Sequence, residues 1–164
     1  MIRTGIGYDS HRFATGGRMM LGGVEVATGT HLAGHSDGDA IAHALTDALL
    51  GAVAAGDIGA MFPDTDPANK DRDSIGMLRD AVALIHRLGF RVVNVDVTVI
   101  TEHPKLAPHR EAIRESLASA LGIGTDGVSV KGKTNEGMGW IGSGEGLACI
   151  AAASIASSPA AGGE

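Results

Sequence analysis

The run "VVNVDVTVI" (Val92–Ile100) sets valines against Asn94, Asp96 and Thr98 in alternation, the period of a strand with one covered face. From Asp37 to Ala55 the period changes. Ile41, Leu45, Leu49, Leu50 and Val53 recur at helical spacing among alanines, with Gly56 as the stop. The small residues between them let this helix pack closely on more than one side. A second helical stretch, about Ser74 to Leu88, turns Met77, Leu78, Ala81, Val82, Ile85 and Leu88 inward and ends at Gly89. A third, about Pro108 to Leu121, has proline near its first turn and Gly122 behind it. Ile2–Asp9 reads as a strand, Met19–Val26 as a short strand or hairpin arm, and "GVSVK" and "GLACIAAASIA" as two more. "DIGAMFPDTDPANKDRD" (Asp57–Asp73) is a long polar loop of a kind that is often functional. Neither a repeat nor a domain boundary interrupts the pattern. The reading is one α+β domain over 1–156, a mixed sheet with helices packed on one face. The Ala/Gly/Ser/Pro residues 157–164 read as a disordered tail.

Composition sharpens this picture in two respects. The 25 glycines are about twice the usual share and aromatics reach only 3%, which suits close backbone packing, subunit contacts and loops that approach a ligand. The net charge of −6 excludes the basic stripe a nucleic-acid partner would require. An anionic small ligand would need neutralisation by a metal or by backbone amides. Cys149 is the single cysteine, so an internal disulfide is excluded and a reducing compartment fits. Strand-like sequence from Ile2 leaves no room for a signal peptide, and no apolar run approaches the ~20 residues of a membrane span. The expectation is a cytoplasmic protein without a membrane partner.

The polar residues before and within the first helix divide by chemistry. Ser36 followed by Asp39 fits a capping box, and Asp37 and Asp39 suit the positive end of the helix dipole. His43 lies at the edge of the apolar stripe, one turn before Asp47. In "GYDSHRF", Asp9 and His11 stand two apart, so a strand sends both to one face, about 6–7 Å apart. Two histidines and a carboxylate suit Zn²⁺ with an open fourth position, and Asp47 would orient the His43 ring. Spacing alone leaves two readings open: that zinc site, and a solvated helix-edge histidine beside an unrelated Asp-x-His pair. His35 is either an exposed loop histidine or a donor to a bound anion. "GVSVKGKT" (Gly127–Thr134) satisfies the P-loop pattern, but its middle residues alternate like a strand and a glycine-rich loop follows instead of a helix.

Five stretches in this order carry a resemblance: "GYDSHRF", "HSDGDAIAHALTDALLGAVAAGDIGAMFPDTDP", "NVDVTVI", "EHPKLAPH" and "VSVKGKTNEGMGWIGSGEG". Together they resemble the 2-C-methyl-D-erythritol 2,4-cyclodiphosphate synthases over about Ile2–Ala156. The resemblance implies cyclisation of 4-diphosphocytidyl-2-C-methyl-D-erythritol 2-phosphate with release of CMP, in the bacterial and plastid non-mevalonate isoprenoid route. It implies Zn²⁺ on Asp9, His11 and His43, and Mg²⁺ or Mn²⁺ at Glu136. His35 and Thr134 match the positions that stabilise the transition state, and Ser36 a substrate contact. Asp57, Ile58 and Gly59, with Phe62, Pro63, Asp64, Thr65 and Asp66, match the loop holding the methylerythritol part. Thr101, Pro104, Lys105, Leu106 and Ala107, with Gly132 and Lys133, match the cytidine pocket; Trp140 belongs to the same substrate-binding set. The family is homotrimeric with active sites between subunits. The chain departs at Ser143, where many relatives carry an arginine linked to anion binding in the central channel, and at Trp140, which replaces a frequent phenylalanine. A metal-dependent phosphohydrolase and a non-catalytic nucleotide-binding trimer share parts of this pattern.

Overall fold

A computed structural model of the chain describes residues 1–158. The first strand is longer than its pattern indicates. β1 runs unbroken over Ile2–Leu21, and the Gly22–Gly23 turn returns it as β2, Val24–Leu32. Ile2–Asp9 and Met19–Val26 are therefore parts of one hairpin. Two features hide this in the sequence. β1 changes partner along its length, pairing β5 (Gly146–Ser157) over Ile2–Arg12 and β2 over Phe13–Leu21. Its register against β2 also slips between Thr15 and Arg18, where Gly16 and Gly17 adopt φ of 87° and 72°.

The remaining strands are β3, Phe90–Ile100, and β4, Val128–Lys133. The sheet order is β2-β1-β5-β3-β4, antiparallel throughout except for the parallel β3–β4 pair. That pair needs a crossover, supplied by α4, Arg110–Leu121. α1 (Ala40–Ala52), α3 (Ser74–Arg87) and α4 cover one face, over a core that includes Leu45, Leu49, Leu78, Ile85, Val97, Leu117 and Leu147. The mixed sheet with one helical face is the architecture the periodicities predict. The other face is bare: Ile2, Ile6, Tyr8 and Ile150 are exposed there.

Local chemistry sets the helix ends. Ser36 and Asp39 do not form a capping box. Asp39 is itself the N-cap of α1, accepting from the Ala42 amide at 3.1 Å, and it also takes the amides of Gly22 at 2.8 Å and Gly23 at 2.7 Å. One carboxylate thus caps a helix and closes the β1–β2 turn. Burial raises the Asp39 carboxyl above its ordinary range despite these three amides. The polar loop at 57–73 is partly structured, holding α2 (Ile58–Met61) and a 3₁₀ turn at Pro67–Asn69, capped by Asp57 and Asp66. Pro108 sits in a 3₁₀ turn ahead of α4, not in its first turn, and Gly122 ends that helix at φ 68°. The P-loop look-alike is β4 followed by a turn and a short helix, α5 (Gly139–Gly142). Ser157, assigned to the tail by composition, closes β5 and bonds through its amide to Met1 at 2.9 Å. Ser158, also assigned to the tail, donates its amide to the Gly89 carbonyl at 2.8 Å, and 159–164 lie outside the described residues.

Candidate functional site

Two glycines decide where α1 lies. A Cβ on Gly5 would come within 1.9 Å of the Ala48 carbonyl oxygen, and one on Gly7 within 1.9 Å of that of Ala44. The helix backbone therefore rests directly on β1, running antiparallel to it. Gly5, Gly7, Asp9 and His11 alternate onto this covered face. Just past the glycines, the first turn of α1 brings His43 over Asp9 and His11.

Asp9 Oδ2 lies 3.0 Å from His11 Nδ1 and 3.3 Å from His43 Nδ1, and the two rings are 5.3 Å apart. One ligand atom from each residue falls within 4.8 Å of the others. Asp9 Oδ2 and His11 Nδ1 are buried, yet neither makes an aligned hydrogen bond. Buried polar atoms left in this state are costly, and a shared cation satisfies them. The Asp/His/His donor set is one that suits Zn²⁺. Burial alone would raise the Asp9 carboxyl, but the two imidazoles outweigh it and hold it below the usual range. Burial likewise opposes charge on His43, and Asp9, with Asp39 and Asp37 behind it, outweighs it to raise His43 above its ordinary value.

The partner of the second His43 nitrogen differs from the expected one. Asp47 accepts the Ile58 amide at 2.7 Å, joining α1 to α2, and partial burial raises its carboxyl. His43 Nε2 instead meets Ser74 Oγ at 2.9 Å and Ser36 Oγ at 3.1 Å. Ser74, fully buried at the start of α3, donates to Asp37. Sequence reasoning missed Ser74 because it lies 31 residues from His43 and reads as a helix start.

Asp9, His11 and His43 line a cleft of about 370 Å³ together with His35, Ser36, Ile58, Gly59, Phe62 and Asp64. His35 is exposed, its Nε2 4.0 Å from Asp64 Oδ2. Thr65 lines a neighbouring hollow that shares His35 and Asp64. Asp57, Pro63 and Asp66 serve the loop itself: Asp57 takes the Ala60 amide at 2.8 Å, the Pro63 carbonyl takes the Asn69 side chain at 3.0 Å, and Asp66 takes the Ala68 amide at 2.9 Å. The structure adds Arg12, Asn69 and Met77 to the cleft wall; the sequence pattern marks Met77 only as an inward residue of its helix, and none of the three as a site residue.

A separate cleft of about 230 Å³ collects Thr101, Pro104, Lys105, Leu106 and Ala107 with Gly132, Lys133 and Thr134. These belong to segments before and after α4 in the chain, brought together where the parallel β3 and β4 both end, and Arg110 joins them. Glu136 stands on the turn beyond β4 at φ 53°, its carboxylate 3.5 Å from the Thr134 hydroxyl. Glu102 pins that turn through the amides of Asn135 at 2.8 Å and Gly137 at 3.3 Å. Trp140 lies outside this cleft, in a hollow with Ser10, His11, Arg12 and Glu145. The single Ser143 hydroxyl proton has two acceptors in reach, Trp140 O at 3.1 Å and Glu145 Oε1 at 3.2 Å.

The sequence pattern of the YgbB family matches residues 2–156. The 2-C-methyl-D-erythritol 2,4-cyclodiphosphate synthase of Gemmatimonas aurantiaca is 62% identical over 94% of this chain and 93% of its own length. The enzyme of the same name from Dechloromonas aromatica is 54% identical over 94% and 96%. Among solved structures, the bifunctional IspDF of Campylobacter jejuni aligns at TM-score 0.91 and 37% identity, covering 94% of this chain and 42% of that one. IspF of Plasmodium falciparum, solved as a CDP complex, aligns at 0.85 and 35%, covering 96% and 97%. With a matching family pattern over nearly its whole length and relatives this similar, the chain belongs to the YgbB family.

Proposed function

We propose that this chain is a cyclodiphosphate synthase, converting 4-diphosphocytidyl-2-C-methyl-D-erythritol 2-phosphate into 2-C-methyl-D-erythritol 2,4-cyclodiphosphate and CMP. The observation that carries this reading is the trio Asp9, His11 and His43, with its unpartnered buried atoms, on the floor of a cleft walled by the 58–64 loop. In the reaction an oxygen of the 2-phosphate forms a bond to the β-phosphorus, and the bond from that phosphorus to the CMP phosphate breaks. The nucleophile and leaving group both belong to the substrate, so the protein supplies proximity and charge neutralisation. A divalent cation on the trio, read as Zn²⁺, supplies positive charge against the phosphates. Glu136 is read as the ligand of a second cation, Mg²⁺ or Mn²⁺. His35 and Thr134 donate to phosphate oxygens, Ser36 and the 57–66 loop hold the methylerythritol part, and the Thr101–Ala107 cleft with Gly132 and Lys133 takes the cytidine. Trp140 is read as a further substrate contact, from the hollow it shares with His11.

Within one chain the metal cleft and the Thr101–Thr134 cleft are distinct cavities. We read the working enzyme as a homotrimer in which each site joins the trio of one chain to the cytidine cleft of its neighbour. The bare sheet face of Ile2, Ile6, Tyr8 and Ile150 supports that assembly, since an apolar face of this kind favours burial against a partner. Cytoplasmic residence goes with the same reading. No helix of the described residues is long and apolar enough to cross a membrane, and Cys149 is a buried free thiol.

³¹P NMR of the purified chain with substrate, Zn²⁺ and Mg²⁺, beside His43→Ala, tests the activity. The expected result is CMP and a cyclic diphosphate in equal amounts, lost in the variant. Inorganic phosphate in their place would show a hydrolase, and unchanged substrate would refute catalysis.

A further inference from the structure

His43 meets its surroundings through both ring nitrogens, and only Nδ1 faces Asp9. Nε2 points away toward Ser74 Oγ at 2.9 Å. The Ser74 hydroxyl has one proton, and Asp37 Oδ1 is placed to take it. A hydroxyl that donates to a carboxylate turns a lone pair to its other neighbour, so Nε2 must be the donor. Nε2 thereby carries a proton, which leaves Nδ1 as the atom that can offer a lone pair to a cation shared with Asp9 and His11. Asp37 is itself held, taking the Ser74 amide at 3.3 Å and the Asp39 amide at 3.2 Å. The first places its carboxylate at the positive end of α3, and the second ties it to the cap of α1. Ser36 makes a longer contact to Nε2, 3.1 Å, and no carboxylate stands behind it.

We propose that Ser74 and Asp37 are positioning residues of the metal site, a serine–carboxylate relay that fixes the tautomer of His43 and thereby sets the affinity of the trio for a divalent cation. This rests on the reading of Asp9, His11 and His43 as metal ligands. It assigns work to Ser74, which no motif spacing singles out, and to Asp37, which the sequence marks only as a charge at a helix start; neither lines the cleft. The relay also joins the first turns of α1 and α3, so the distance between two helices is read directly at a ligand.

The test uses the full chain and Zn²⁺ alone. Dissociation constants are measured by chelator competition, and the two-bond ¹H–¹⁵N spectrum of the Zn²⁺-loaded protein locates the His43 proton. The expected result is Nε2–H in the wild type, with Ser74→Ala weakening Zn²⁺ about 10–100-fold and Asp37→Asn about tenfold. The Nε2–H resonance should move upfield in both, and Ser74→Thr should restore binding to within about threefold of wild type. Thermal unfolding of the metal-free variants controls for folding, and Asp37→Asn preserves side-chain size should Ser74→Ala fold poorly. Unchanged Zn²⁺ affinity in both variants would overturn the relay. Weakened affinity with an unmoved Nε2–H resonance would also overturn it, because a merely structural loss has that signature. If His43→Ala itself binds Zn²⁺ like the wild type, the metal reading fails first.

Discussion

Two aspartates, Asp39 fully buried and Asp9 partly so, show how far a single residue's surroundings determine its role. Asp39 has each carboxylate oxygen occupied by backbone amides, so its removal strands the donors of Gly22, Gly23 and Ala42. Asp39→Ala should cost about 2–4 kcal/mol, the sum of a lost cap and unsatisfied buried amides, read as a lower urea midpoint. Asp9 has the opposite surroundings, two imidazole nitrogens and no amide partner for Oδ2. Asp9→Asn removes the charge while keeping the shape, and we expect Zn²⁺ binding by calorimetry to weaken at least about 100-fold. An affinity within threefold of wild type would count against the site. Asp9 and His11 were legible in the sequence because a spacing of two in a strand needs no tertiary information. The split between Asp39 as cap and Asp47 as a tie to α2 was not legible, because both sit within one turn of His43 and only packing chooses their partners.

At the scale of elements, the Gly5–Gly7 row is the feature on which the site depends. Gly7→Ala places a methyl group where the Ala44 carbonyl stands, so strand and helix must separate. A destabilisation of about 3 kcal/mol or more is expected, since this clash is with backbone and cannot relax by a rotamer change. Zn²⁺ affinity should fall with it, as His43 rides on the displaced helix; a variant with wild-type stability would show that α1 does not lie where described. On the open face of the sheet a substitution should be mild. Lys131 Nζ lies 2.6 Å from Asp96 and holds its carboxyl low, so this pair stabilises the fold above about pH 4 and the contribution is lost as pH falls through the depressed value. Both groups are about half exposed, so Asp96→Asn should lower stability by less than about 1 kcal/mol at neutral pH, with the gap closing in acid. Urea titrations at several pH values check this. The alternation of β3 made that strand legible, whereas β1 lost its periodicity to a change of partner and to the Gly16–Gly17 slip.

For the whole molecule, the bare face carries the expectation of assembly. Ile6, 72% exposed in the part of β1 that pairs with β5, offers a large apolar side chain to solvent in the isolated chain. Ile6→Asp should leave the monomer fold intact, convert a trimer to monomer in sedimentation velocity, and abolish CMP release at dilute enzyme, because each half-site would lose its neighbour. A wild-type chain that sediments as a monomer while retaining full activity would refute the shared site.

The sequence by itself determined the three long helices and most strands, the covered face of β3, and the pairing of Asp9 with His11. These depend on periodicity and on spacing of two residues, which are properties of a local backbone. Tertiary structure alone decided that His43 stands over that pair, that Ser74 and Asp37 hold its second nitrogen, and that residues before and after α4 in the chain share one cleft. Each of those contacts joins residues about 30 or more positions apart, and it exists because glycines on β1 admit the backbone of α1 and because parallel strands require a crossover.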